Sequence, residues 1–254
     1  MFRPLATVPP TTVLEPDRPD SWSYWATLGW TVLAFAVSAG VASACYLLWF
    51  NGDLGQSLHT PYDGVLVAIG TIASVPVQIA VLALAVRRKH WPVAEYFGLI
   101  VPRRRAIVLA VALLCALVFV VEGLLLLSGQ ELVTSFQIDS YRTAKAAGWL
   151  PSLFVAVVLF APVGEEIMFR GFLYRGFVRR PGQEPYAIVI ITAAWMMLHV
   201  QYDWVGLLQV FIIGLLLGWI RWTTGSTALT ILLHVLMNFE AMIETVIKVE
   251  WLGP

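Results

Sequence analysis

Six polar residues in the second half of this sequence could take part in chemistry, five of them as ionisable groups and Asn238 as a hydrogen-bonding carboxamide. They are Glu165, Glu166, Arg170, His199, His234 and Asn238. All six lie within strongly hydrophobic segments of the chain. An ionisable side chain at bilayer depth costs roughly 2.5 to 3.5 kcal/mol on insertion scales, so each one requires a partner, a water-filled cavity or a function. These residues are therefore the first candidates for a functional site.

The spacing of the tandem glutamates indicates two different roles. Within a helix Glu166 and Arg170 are four residues apart and lie on one face, where they can form an ion pair. Glu165 is rotated by about 100° from Glu166, so it is available for chemistry. His234 and Asn238 are also four residues apart and lie on one helix face. We expect the ion pair to be structural and Glu165 to be reactive.

Helix rise places the reactive groups at comparable depths. At about 1.5 Å per residue, Glu165 and His199 each lie on the order of 20 Å from the cytoplasmic ends of their segments, and His234 lies on the order of 15 Å in. A single intramembrane histidine more often makes an interhelical hydrogen bond than a catalytic contact. Two histidines near the tandem glutamates favour a common cavity, which Asn238 and the ion pair would complete.

Composition predicts that the chain is an integral membrane protein. Of its 254 residues, 59% are hydrophobic and only 13% are charged, whereas soluble domains carry about 25% charged residues. The net charge is zero, so nothing favours a nucleic-acid partner. Cys45 and Cys115 both lie in apolar runs and are expected to be buried thiols, not a disulfide or a metal pair.

Hydrophobic runs near the length of a bilayer crossing predict an all-α membrane protein, a polytopic bundle of about seven transmembrane helices. The predicted spans are residues 27–50, 64–86, 106–127, 152–178, 186–200, 204–220 and 226–247. The proline-rich residues 1–24 are expected to form a flexible tail. Residues 25–250 would form a single transmembrane domain, with the active-site core at about 151–239.

Basic residues concentrate in the loops after the second, fourth and sixth spans. They are Arg87, Arg88, Lys89, Arg103, Arg104, Arg105, Arg175, Arg179, Arg180 and Arg221. The positive-inside bias therefore predicts a multi-pass protein of the cell membrane with its N-terminus in the cytoplasm and its C-terminus outside.

Other intramembrane positions favour packing over chemistry. Gly214 and Gly218 lie one turn apart and would let two helices approach closely. Glu122, Glu240 and Glu244 are expected to be interhelical polar contacts or interfacial residues.

Three short motifs occur in order on the late segments. They are EExxxR (Glu165, Glu166, Arg170), an aromatic-xxx-His (Trp195, His199) and HxxxN (His234, Asn238). The ordered set resembles the CPBP family of CAAX prenyl endopeptidases and bacteriocin-processing proteins, also called Abi, over roughly residues 151–239. Trp195 departs from the family pattern, which usually has Phe at this position.

The resemblance implies an intramembrane endopeptidase of the glutamic type. By similarity Glu165 is the general base and His199 holds and polarises the attacking water. His234 and Asn238 would donate hydrogen bonds to the oxyanion, with Glu166 and Arg170 supporting the site. No Ser or Cys nucleophile with a base is evident, so direct attack by water is favoured over an acyl-enzyme.

The resemblance favours a site without a cofactor, although zinc is an alternative. Glu165, His199 and His234 could supply three zinc ligands and leave the fourth position open. The HExxH motif, which places two histidines and a base on one helix, is absent.

Two other functions remain as alternatives: a non-catalytic membrane immunity or scaffold protein, and an ion-coupled transporter, since intramembrane Glu, Arg and His also form relays. The absence of an internal repeat argues against the transporter. For an endopeptidase, the partners would be the lipid bilayer and a membrane-associated protein or peptide. Prenylated CAAX tails, peptide precursors and membrane-anchored regulators all fit, and the sequence specifies no oligomeric state.

Overall fold

The computed structural model describes residues 20–49 and 62–253, and within these ranges the chain forms helices and no strand. The described elements are α1 (Tyr24–Trp49), α2 (Gly64–Arg88), α3 (Val93–Phe97), α4 (Arg104–Leu127), α5 (Ser135–Ala146), α6 (Leu150–Phe177), α7 (Glu184–Met196), α8 (Trp204–Thr224) and α9 (Thr227–Leu252). The predicted all-α class is confirmed. Most of the predicted N-terminal tail, residues 1–19, lies outside the described residues.

Six of these helices are long and apolar enough to cross a membrane: α1, α2, α4, α6, α8 and α9. The seventh predicted span is the shorter α7, which has 13 residues. At about 1.5 Å per residue it extends about 20 Å, which is less than the roughly 30 Å of a bilayer's hydrocarbon core. The chain is thus an integral multi-pass membrane protein, as its hydropathy predicts.

The chain divides into two compact units. One comprises the described part of Met1–Val32 together with Val81–Leu117 and Glu165–Leu233. The other comprises Leu33–Ala80, Val118–Gly164 and the described part of His234–Pro254. The single domain expected over residues 25–250 stays a prediction.

In the first unit, α7 and α8 approach closely because α8 carries glycines where they meet. A Cβ atom on Gly214 would lie 2.5 Å from Thr192 Cγ2, and one on Gly218 would lie 2.6 Å from Ile188 Cγ2. Both distances are far below van der Waals contact, so neither position has room for a side chain. The close approach expected from this glycine pair is confirmed.

In the second unit, apolar side chains from α2, α5, α6 and α9 form a buried cluster. Its members are Ala68, Ala144, Leu153, Ala156, Val158 and Met242.

Helix α5 is too polar to cross a membrane, and it begins with a capping box. Thr134 accepts a hydrogen bond from the Gln137 backbone N–H, and the Gln137 side chain accepts one from the Thr134 N–H.

Helix α6 contains two π-helical stretches, Ala156–Phe160 and Ile167–Leu173. In the first, the Ala161 N–H donates to the Ala156 carbonyl, five residues back. The next residue is Pro162, which has no N–H, so the Val157 carbonyl cannot receive the corresponding bond. Such single-turn widenings are rare and often occur at functional sites.

Candidate active site

Glu165 occupies the middle of α6, 12 residues before the helix ends at Phe177, or about 18 Å along the axis. Its side chain is half-buried. The Oε2 atom accepts a hydrogen bond from Trp195 Nε1 on α7, at 2.6 Å. Because an indole nitrogen can only donate a hydrogen bond, Glu165 Oε2 is the acceptor in this contact.

His199 contacts the same tryptophan through the main chain. Its Nδ1 lies 2.9 Å from the Trp195 carbonyl oxygen. Because a carbonyl can only accept, Nδ1 carries a hydrogen, and in the neutral imidazole Nε2 then keeps its lone pair. The two rings are also in edge-to-face contact, with centroids 4.9 Å apart. Trp195 therefore links the carboxylate of Glu165 to the imidazole of His199.

The structure places His199 beyond the end of α7 and not within a span. The backbone N–H groups of Leu198 and His199 bond to carbonyls three residues back, those of Trp195 and Met196. The Trp195 carbonyl thus accepts from Leu198 and from the imidazole, and the regular α-helical pattern ends. The depth estimated from helix rise was therefore wrong from Met197 to His199, because these residues lie beyond the helix.

The ion pair expected from spacing is present and completely buried. Arg170 Nη1 lies 2.9 Å from Glu166 Oε1, with side-chain exposures of 2% and 0%. Arg170 Nη2 donates to the Gly214 carbonyl at 3.1 Å, and its guanidinium lies over the Trp195 ring at 4.5 Å from the centroid. The pair is thus built into the same packing that holds the tryptophan.

A second buried arginine secures the π-helical stretch around Arg170. Arg221 Nε donates to the Arg170 carbonyl at 2.9 Å, and the Arg221 guanidinium lies over the Tyr174 ring. A π-helical segment displaces carbonyls from their usual donors, and this guanidinium supplies one. From its sequence position Arg221 was expected only in a cytoplasmic loop, whereas it lies on α8 and fixes α6.

Tyr202 lies in the loop between α7 and α8, where its ring stacks on that of His199 with centroids 5.9 Å apart. Burial raises the pKa of Tyr202 to about 12, and the negative charge of Glu165 contributes to the rise, while a hydrogen bond with Gln201 opposes it. The pKa of Tyr202 therefore depends in part on the charge of Glu165.

His234 and Asn238 lie on α9 in the second unit. His234 is buried, with 3% of its surface exposed. Asn238 Nδ2 donates to the Val157 carbonyl at 2.8 Å, the carbonyl left without a partner by Pro162. One amide hydrogen of Asn238 thus stabilises α6.

Sequence reasoning missed two further intramembrane polar features. Gln78 Nε2 on α2 donates to the Gly164 carbonyl at 2.9 Å, and its position in an apolar run two residues after Pro76 was the available signal. Glu122, Glu240 and Glu244 bring carboxylate oxygens within 4.8 Å of one another. They are interhelical polar contacts, as expected, but the sequence did not indicate that they meet.

Comparison with known families identifies the segment that carries all six polar residues. Residues 147–239 match the family model described as type II CAAX prenyl endopeptidase Rce1-like. This segment is similar to that family. The match confirms the family resemblance drawn from the three motifs. No curated protein and no solved structure matches the chain.

The Rce1-like segment begins just before α6 and ends within α9 at Phe239. It therefore includes Trp195 and the turn that carries His199. Helices α1 to α5 precede it and lie outside the matched residues.

Proposed function

We propose that this chain is an intramembrane endopeptidase that hydrolyses a peptide bond in a membrane-associated protein or peptide. The observation that carries the proposal is the contact of Glu165 and His199 with one residue, Trp195. A carboxylate and an imidazole held in this way on an Rce1-like segment are suited to activating a water molecule.

Glu165 acts as the general base in this proposal. Its carboxylate takes a proton from water while the water oxygen attacks the carbonyl carbon of the scissile bond. The π electrons of the carbonyl move onto its oxygen and form an oxyanion. As that intermediate collapses, the C–N bond breaks and the proton held by Glu165 passes to the leaving amine. No covalent enzyme intermediate is formed.

His199 holds and polarises the attacking water. The hydrogen bond from Nδ1 to the Trp195 carbonyl directs the lone pair of Nε2 outward, where it can accept a hydrogen from the water. The imidazole and the carboxylate would then each accept a hydrogen bond from the same water molecule.

His234 and Asn238 are proposed as donors to the oxyanion, a role that rests on their match to the third motif. Asn238 has a second amide hydrogen in addition to the one donated to Val157. Donors arranged in advance for a developing oxyanion each contribute on the order of 10²- to 10³-fold to the rate.

Glu166 and Arg170 are proposed to support the site without touching substrate. Their charges compensate each other in a fully buried location. The guanidinium also covers one face of Trp195, which connects the ion pair to the residue that contacts Glu165.

We propose that the reaction needs no metal. The alternative is zinc bound by Glu165, His199 and His234, and it predicts a different experimental outcome. If the reaction needs no metal, purified active protein should contain less than stoichiometric zinc and should keep its activity after chelation. Stoichiometric zinc whose removal abolishes cleavage would overturn this part of the proposal.

The proposed substrate is membrane-associated and of the CAAX type, because the matching family is described by that class. Cleavage of a synthetic peptide ending in a farnesylated CAAX sequence would be measured with the protein in proteoliposomes. Glu165→Gln should lower the rate by about 10² to 10⁴-fold, and His199→Ala should also impair it. Asp139→Asn, a change at an exposed carboxylate on α5, is the control and should cleave normally.

Undiminished cleavage by both site variants would overturn the proposed mechanism. A biological phenotype that survives Glu165→Ala would instead favour the immunity or scaffold alternative. Uptake of an ion or solute into the same proteoliposomes, abolished by neutralising Glu165, would favour a transporter.

A further inference from the structure

We propose that the indole N–H of Trp195 is a positioning group that orients the carboxylate of Glu165 toward the attacking water. The inference rests on the proposed function and adds a residue to it. Of the aromatic residues that could begin the aromatic-xxx-His motif, phenylalanine has no hydrogen-bond donor, whereas tryptophan has the indole N–H. The motif alone therefore does not specify this contact.

The first observation is the contact itself. Trp195 Nε1 lies 2.6 Å from Glu165 Oε2, and the indole ring is buried, with 1% of the residue exposed. A hydrogen bond to an ionised acceptor is shorter and stronger than one between neutral groups. It restricts rotation of the carboxyl group and directs Oε1 to the proton of the water.

The second observation is that the indole ring cannot easily turn away. The Arg170 guanidinium covers one of its faces. A Cβ on Gly214 would lie 3.0 Å from Trp195 Cε3, so the α8 backbone packs directly against the ring. With both χ angles fixed by packing, the direction of the N–H is fixed too.

The third observation is that the same residue orients His199. The Trp195 carbonyl accepts from His199 Nδ1, and this bond selects the tautomer. The side chain of Trp195 thus orients the base, while its main chain orients the imidazole. Replacing the side chain removes the first contact and leaves the main-chain carbonyl in place.

The test compares Trp195→Phe with the wild-type protein on the farnesylated peptide. Loss of a hydrogen bond to a charged group should lower kcat by about 10- to 100-fold, with KM changed by less than about twofold. Trp222→Phe, at a half-exposed tryptophan on α8, is the matched control and should leave both constants unchanged.

A second variant separates the N–H from ring packing. Benzothienylalanine at position 195 keeps the bicyclic shape and replaces the N–H with sulfur. It should lower kcat as Trp195→Phe does. Wild-type kcat in this variant would overturn the proposal, as would a loss expressed entirely in KM.

A spectroscopic measurement tests the contact without any substrate. Subtracting the ultraviolet resonance Raman spectrum of Trp195→Phe from that of the wild type isolates the N–H marker band of Trp195. In a Glu165→Ala background this band should move to the position of a weakly bonded indole, and an unchanged band would overturn the proposal. If the wild-type protein cleaves no peptide, the proposed function is contradicted. A band that still moves in the Glu165→Ala background would nevertheless support the orienting contact.

Discussion

Asn238 Nδ2 donates a hydrogen bond to the Val157 carbonyl oxygen at 2.8 Å. The Val157 carbonyl lacks the main-chain donor that would lie five residues ahead, because that residue is Pro162. In a bilayer an unsatisfied backbone carbonyl costs several kcal/mol. Asn238 therefore compensates for a proline in α6, whatever its part in catalysis.

Asn238→Ala should lower the free energy of unfolding by about 1 to 3 kcal/mol, since the buried carbonyl loses its partner. Pro162→Ala restores an N–H at the required position. The double variant should therefore be more stable than Asn238→Ala alone, as measured by reversible unfolding in mixed micelles. Equal losses in the single and double variants would show that Pro162 is not the cause.

Replacing one member of the buried ion pair should lower the free energy of unfolding more than replacing both members. Glu166→Gln or Arg170→Met leaves one uncompensated charge in a fully buried position, which typically costs about 3 to 5 kcal/mol. The double variant leaves no such charge. In the same unfolding assay the double variant should lose less stability than either single variant, and strict additivity of the two losses would argue against a coupled pair.

Gly214→Ala tests how closely α8 supports Trp195. The added methyl would lie 2.5 Å from Thr192 Cγ2 and 3.0 Å from Trp195 Cε3, so we expect a loss of about 1 to 3 kcal/mol together with reduced peptide cleavage. Thr192→Ser removes Cγ2 and should restore part of the stability. Gly123→Ala, where a Cβ would meet nothing within 4 Å, is the control and should not destabilise the protein.

Tyr202 offers a titration that reports the charge on Glu165. Burial is the largest cause of its raised pKa of about 12, compared with a usual value near 10. Because the folded-state pKa is the higher one, the associated stability is complete below about pH 10 and is lost as pH rises toward about 12. Difference absorbance against Tyr202→Phe would follow the tyrosinate.

In Glu165→Gln the pKa of Tyr202 should fall but stay above its usual value, because burial remains. An unchanged pKa in this variant would mean that Glu165 carries no charge near Tyr202 in that pH range.

Much of the membrane architecture is predictable because hydropathy over about twenty residues reflects a single strong requirement, the removal of apolar surface from water. The third predicted span, residues 106–127, coincides closely with α4, Arg104–Leu127. The pairing of Glu166 with Arg170 is also predictable, since it depends on helical spacing alone.

The remaining site features depend on contacts that spacing does not specify. The turn at His199 forms because the imidazole takes the carbonyl of Trp195, a competition between side chain and backbone. The aromatic-xxx-His spacing likewise does not specify that the Trp195 N–H reaches a carboxylate on another helix. The meeting of Glu122 with Glu240 and Glu244 joins residues that are far apart in the sequence, so no local spacing specifies it.

Glu165 is proposed to perform chemistry on a membrane-associated substrate. Quantitative proteomics can compare host membranes that contain either the wild-type protein or Glu165→Gln at equal abundance. We predict that at least one membrane-associated precursor accumulates in the variant and appears as its shortened product in the wild type. Identical membrane proteomes, both differing from that of a strain lacking the protein, would contradict the account.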